Sequence, residues 1–333
     1  MRRVLLPSLC LAALPGLVQS QDRPTLLDVL SPDVIVQRMV QSGILALRTR
    51  MDLQYSDLSV DLLGGSITIT DVQAWPLPDW DDEGTCEIEI DRITVQSAGL
   101  IDPNEISVET RLSGLSMPTS CLPEEPRGLL AGAGLDQLDI PRATFYVDYG
   151  IPASDAQMRF FADISNLAVI DAATDYAYIW VDGREDMDNP DPVMFIRSAS
   201  VAVENQGLWE AVVDLIPEPF RSEGAGLAVE GVVGQALLEA NPSGESAPEL
   251  SPGQQAFARS VGAIWPAFLE NPQGMVIETN IDGSVYFDLE RLEDDPREAF
   301  DTLNPVARLA PSARSELVSL ALYQAVTQGQ SGV

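Results

Sequence analysis

The chain has 333 residues, with 51 acidic side chains against 19 basic ones, no histidine and a formal net charge of −32. Every basic residue is arginine, so imidazole and amine chemistry are both absent, and with them the commonest general base, metal ligand and Schiff-base former. The acidic field also repels nucleic acid and anionic membrane surfaces.

Met1 to Ser20 has the three parts of a secretory signal: Arg2 and Arg3, an apolar stretch from Val4 to Val18, and the small-residue end Val18-Gln19-Ser20. Cleavage is expected before Gln21. Pro7, Ser8, Pro15 and Gly16 interrupt the apolar stretch, which is shorter than the ~20 residues that span a bilayer as a helix. A retained anchor is the alternative. Removing the segment and its two arginines takes the net charge from −32 to −34 and leaves Cys86 and Cys121 as the remaining cysteines. The periplasm is the expected compartment, with release to the medium as the alternative. In an oxidising compartment two cysteines pair, buried thiols being the other reading.

Ser31-Pro32-Asp33 supplies an N-cap followed by proline at the first helical position. Val34, Ile35, Met39, Val40, Ile44 and Leu47 follow at helical spacing, giving an N-terminal helical segment over 21–50. Beyond Met51 the period becomes alternating. Leu53 and Tyr55, then Leu58, Val60 and Leu62, precede Gly64-Gly65, and Ile67 and Ile69 follow, which reads as a hairpin. Further strands are expected around Ile88–Val95, Ile106–Leu112, Phe145–Tyr149, Met158–Ile164, Tyr176–Trp180 and Val201–Val203, so 51–205 reads as an antiparallel meander. Within it Ile88–Val95 resembles Leu138–Phe145, and Leu112-Ser113-Gly114-Leu115 resembles Ile164-Ser165-Asn166-Leu167; Ala199-Ser200-Val201 is a weaker third copy. A repeat of strand pairs and the general likeness of amphipathic strands are both open explanations.

From Gly207 the pattern turns helical over 206–275. Leu208, Trp209, Val212 and Leu215 share a face, Leu227–Leu238 is ambiguous, and 241–253 reads as a mobile polar loop. Phe257, Val261, Ile264 and Phe268 mark a helix that Pro266 is expected to kink or end. Over 276–333, Asp282-Gly283 between alternating runs predicts a type I′ hairpin, and Ser312–Thr327 a closing amphipathic helix with Leu317, Leu320, Ala321 and Ala325 on one side.

No catalytic, cofactor-binding or metal-binding residue stands out. The acidic groups Asp79, Asp81, Asp82, Glu83 and Asp182, Glu185, Asp186, Asp188, Asp191 offer oxygen ligands without the spacing of a calcium loop, and read as solvated loops. Two carboxylates facing a sugar would suffice for a glycosidase, but no pair is singled out. A serine nucleophile lacks its base, and no phosphate-binding or dinucleotide-binding glycine motif is present. Trp75 and Trp80 flank Pro76-Leu77-Pro78, a loop that either presents aromatic rings or packs over a sheet edge.

The stretch Leu53–Met117, in which Gly64-Gly65 and Ile67-Thr-Ile-Thr-Asp-Val72 lead through a proline-rich loop to Ile88–Val95, resembles the β-rich units of AsmA-like envelope proteins of diderm bacteria. That resemblance implies an elongated curved sheet and a structural or hydrophobic-transport role, with no catalytic residues. Taken together, the expected fold is α+β: a large twisted antiparallel β-meander with an N-terminal helix and a helical C-terminal third packed on it. The expected function is a non-catalytic periplasmic envelope protein, without cofactor, carrying a lipid-like ligand or an envelope protein on an apolar sheet face. A carboxylate-dependent envelope hydrolase and a calcium-stabilised secreted or adhesion module are the alternatives.

Overall fold

The computed structural model describes residues 44–45, 48, 51–61, 64–76, 84–97, 104–182, 191–241, 249–288 and 296–310. The expected signal segment, most of the N-terminal helix, the first acidic group, Glu185, Asp186 and Asp188 of the second, Trp80 and the helix Ser312–Thr327 lie outside them; Asp182 and Asp191 are opposite one another at the ends of two paired strands rather than in a loop. Among the described residues no helix is long and apolar enough to cross a membrane.

The chain is β-rich and of the α+β class. Strands β1 (Met51–Gln54), β2 (Asp57–Asp61), β3 (Ser66–Pro76), β4 (Ile88–Ser97), β5 (Glu105–Pro118), β6 (Gln137–Gly150), β7 (Asp155–Ile164), β8 (Ala168–Asp182) and β9 (Asp191–Asn205) follow in chain order. β10 (Gly274–Thr279), β11 (Val285–Asp288) and β12 (Pro305–Leu309) complete one 12-stranded sheet ordered β1-β3-β4-β5-β6-β7-β8-β9-β10-β12. From β3 to β9 each strand pairs antiparallel with its successor, as the alternation from Met51 onward predicts. Gly64 and Gly65 turn β2 into β3, with Asp61 opposite Ser66. β1 and β2 lie end to end along the same edge of β3, Leu53 opposite Ala74 and Leu58 opposite Ile69. Two short edge strands, the second with Asp57 and Asp61 at its ends, discourage edge-to-edge pairing.

Four neighbouring strands each leave one residue out of the ladder at the same level, without a change of register. The registers skip Asp71 in β3, Asp91 in β4, Gly114 in β5 and Pro141 in β6. Asp71 and Gly114 take φ of 50° and 63°, while Pro141 has no N–H for the ladder. A residue left unpaired on both strands in this way interrupts the strict two-residue alternation. Residues three apart, such as Ile69 and Val72, or Ile90 and Ile93, therefore turn toward the same side, where they gather around Leu53, Ala74 and Ile44. The resemblance between Ile88–Val95 and Leu138–Phe145 is this crease, since both stretches straddle it. Leu112–Leu115 and Ile164–Leu167 likewise share a left-handed third residue, Gly114 at 63° and Asn166 at 58°. Ala199–Val201 is not a third copy, because the β8–β9 ladder runs through it unbroken.

The segment after Gly207 is mixed rather than helical. Helices α2 (Leu208–Val212), α3 (Ala225–Ala240) and α4 (Pro252–Glu270) precede β10 and β11, and α5 (Pro296–Leu303) precedes β12. Helix α1 (Glu124–Gly132), between β5 and β6, and α5 with β12 escaped the sequence reading. Pro266 neither ends α4 nor prevents it reaching Glu270. Of the expected loop 241–253, Pro252 and Gly253 belong to α4, and Asn241 and Ser251 are fixed by hydrogen bonds at its two ends.

The expected hairpin around Asp282-Gly283 does not form. β10 and β11 both pair with β9 instead, Ile277 opposite Val201 and Val285 opposite Ile196. They are two pieces of one interrupted strand. Gly283 has φ 77° but Asp282 does not share the positive φ that a type I′ turn needs. β9 offers 15 residues of edge, enough for both pieces, and α5 holds the excursion through Asn280 N–H bonds to Leu303 O and Asn304 O at 3.3 and 3.1 Å. The free side of β12 is covered by α4: Ala307 N–H donates to Ser260 Oγ at 3.0 Å.

Cys86 and Cys121 form a disulfide, with sulfurs 2.09 Å and Cα atoms 4.8 Å apart. It ties the entrance of β4 to the exit of β5, strands already paired at Glu89 and Ser116.

Candidate functional site

In an antiparallel ladder, residues directly opposite one another share a face and i, i+2 neighbours repeat it. Following the registers from Thr110 gives the row Thr110–Phe145–Phe160–Ala172–Val201–Ile277, one residue from each of β5 to β10. Two residues along lies a parallel row, Leu112–Ala143–Ala162–Ile170–Val203–Met275. The two rows contain no ionisable side chain, and among the described side chains the same face carries no Asp, Glu or Arg between β5 and β9.

The opposite face takes the charges. Arg111 pairs with Glu109 at 2.6 Å, Arg159 with Asp171 at 3.7 Å and Arg197 with Asp175 at 3.0 Å. Arg142 lies 4.6 Å over the ring of Phe161, the neighbour of Phe160 that points the other way. Hydrogen bonding to Glu109 raises the pKa of Arg111, and burial raises that of Tyr146. Such partly exposed pairs stabilise weakly; their consequence is to keep every cation of these strands off the first face.

A charge-free sheet face is ordinarily a core face, covered by a second layer. Here the cover is partial. At one end Ile44 packs on Leu53, Val72 and Ala74. At the other, Ala299, Phe300 and Leu303 of α5 line an open apolar pocket of ≈ 220 Å³ together with Val201, Ile277 and Pro305. Glu278 borders this pocket and is ion-paired with Arg308. Between the two ends, Phe145 is 45% exposed and Phe160 40%, and at the α5 end Val201 and Ile277 keep exposures of 45% and 41%. Beside the Phe145–Phe160 ridge, Ala143 and Ala162 are buried and face each other across the ladder, so ridge and small residues make a furrow. Drug-sized ligand sites enclose roughly 300–1,000 Å³, so the pocket alone is small; it is a recess at the α5 end of a larger open floor.

The chain matches no known family model and no curated protein. Its own geometry therefore carries the functional argument. Among the described residues no three His, Cys, Asp or Glu side chains gather as a metal site. Trp75 lies within β3 opposite Asp52 rather than in a free loop. Phe145 and Phe160 were legible as strand residues, and their shared row follows only from the register. The α5 wall had a local signal that went unread: Asp-Pro at its start, then Ala299, Phe300 and Leu303 at helical spacing.

Proposed function

We propose that the protein is a non-catalytic binding protein of the cell envelope that holds an extended hydrophobic, lipid-like ligand on the charge-free face of its sheet. One observation carries this reading: Phe145, Phe160, Val201 and Ile277 lie in a single cross-strand row, each at least 40% exposed, on a face that carries no Asp, Glu or Arg among the described side chains between β5 and β9. Contiguous exposed apolar surface marks interaction sites. The absence of charge on the floor selects for the hydrocarbon part of an amphiphile, and the acidic body disfavours an anionic head group close to it.

The periplasm is the proposed compartment, with secretion as the alternative; the leader-like start and the Cys86–Cys121 bridge support export. The likeness to AsmA-like envelope proteins belongs to the same proposal, as does the N-terminal helical segment over 21–50, of which Ile44 borders the floor at Leu53, Val72 and Ala74. Native mass spectrometry of protein recovered from its own host tests the reading. A retained hydrophobic ligand is expected, removed by Phe160→Asp without loss of cooperative unfolding. A chain that carries nothing, or a ligand indifferent to that substitution, contradicts it.

A further inference from the structure

We propose that the recess beside α5 is the seat for the methyl end of the ligand's hydrocarbon chain, with the polar head left outside on the open floor. The proposal rests on the reading of that floor as a hydrocarbon surface, and it adds which end of the ligand lies where.

The recess is built by the fold itself, because its wall is fastened on two sides. Toward α4, Asp301 Oδ1 accepts the N–H of Gly253 at 2.7 Å, and the rings of Phe300 and Phe257 pack with centroids 5.4 Å apart. Gly253 leaves no room for a Cβ beneath the Phe300 carbonyl. Toward the sheet, Asn304 Nδ2 donates to Asn280 O at 3.1 Å. A wall held in this way gives a largely pre-formed site, as small-molecule sites are.

The polar groups around the recess are already engaged. Thr279 Oγ1 accepts the Ala199 N–H at 3.0 Å. Glu278 is ion-paired with Arg308, and Glu278 and Ser200, opposite one another, alternate with Ile277 and Val201 and so belong to the other face. What the recess presents is almost wholly hydrocarbon, from Ala199, Val201, Ile277, Ala299, Phe300 and Leu303. A hydroxyl or charge buried without a partner is costly, so this lining accepts a methyl end and rejects a head group.

Size points the same way. A dry apolar cavity of about 150 Å³ takes up benzene; in proportion, the ≈ 220 Å³ here takes about eight carbons of a chain. The rest of a longer amphiphile lies on the floor. Val201 and Ile277 belong both to the recess and to the floor row. Ala172, opposite both Val201 and Phe160, is the low step between the recess and the Phe145–Phe160 ridge.

Calorimetric titration of the full chain with short alcohols tests the seat. 1-Octanol is expected to bind saturably to the parent and to Gln157→Asp alike, and at least tenfold more weakly to Ala299→Phe, which fills the recess. Should Ala299→Phe unfold, Ala199→Ile narrows the same recess from the sheet side. 1,8-Octanediol, which has no methyl end, is expected to bind the parent at least tenfold more weakly than 1-octanol. No saturable binding of 1-octanol, equal binding by the recess variants, or equal binding of the diol would each overturn the proposal. Dodecanol separates it from the reading beneath it. Weakening by both Phe160→Asp and Ala299→Phe supports seat and floor together. Dodecanol weakened by Phe160→Asp but indifferent to Ala299→Phe overturns the seat and leaves the floor; the reverse supports the seat while the floor reading fails.

Discussion

Gln254 has no exposed surface, yet its amide is satisfied at both ends. Its Nε2 donates to Asn241 Oδ1 at 2.8 Å, Asn241 Nδ2 donates back to Gln254 Oε1 at 3.2 Å, and Ser251 N–H donates to the same Oε1 at 3.1 Å. One side chain thus completes the capping box of α4 and pins the end of α3 to it. Gln254→Ala removes both functions and leaves Asn241 buried without its partner, at a cost of about 2–3 kcal/mol, measurable as a lower urea midpoint. Gly114 acts at the crease: with φ 63°, and with Asp91 where a Cβ would sit, Gly114→Ala is expected to cost about 1–3 kcal/mol. Tyr146 gives a pH signature. Burial, and then the neighbouring Asp148, raise its pKa above 10.0, so the fold favours the neutral phenol. Its contribution is complete below the unfolded pKa and falls as the pH rises past it. Unfolding midpoints should therefore drop more steeply between about pH 9 and 11 in the parent than in Tyr146→Phe.

At the level of elements, the disulfide closes a loop with a sequence separation of 35 residues. Replacing both Cys86 and Cys121 with Ser should lower stability by about 3–4 kcal/mol in the loop-entropy model, a difference resolved by denaturant titration of the two proteins. The meander was legible because each of its strands is apolar on one side only, and period two is then written directly into the residues. Strand ends were not. β8 continues past Asp171 and Asp175 because those acids point to the solvated face, where they break no pattern. The crease was visible as a faint echo between Ile88–Val95 and Leu138–Phe145 without its cause being readable, since an unpaired residue shared by four strands shows only in the strand pairing. Asp282-Gly283 misled for the opposite reason: its local turn chemistry is sound, but the long edge of β9 makes continuing the ladder more favourable than reversing the chain. Helix α1 was hidden by Pro126, Gly128 and Gly132, poor helix formers that leave no clear period in nine residues.

At the scale of the whole molecule, strands β5 to β9 of the 12-stranded sheet keep their described Asp, Glu and Arg side chains on one face and leave the other without them. Sequence alternation foretold two unlike faces. It did not say which parts of the apolar face α5 and Ile44 would cover, because cover depends on where distant segments return to the sheet. The open centre is what the functional account depends on. Titration with diphenylhexatriene, a neutral hydrocarbon whose fluorescence rises on leaving water, addresses it directly. Saturable binding to the parent is expected, weakened at least tenfold in Phe145→Asp/Phe160→Asp and unchanged in Gln157→Asp on the polar face. Absence of saturable binding by the parent, or equal binding by all three while each unfolds cooperatively, would contradict the account.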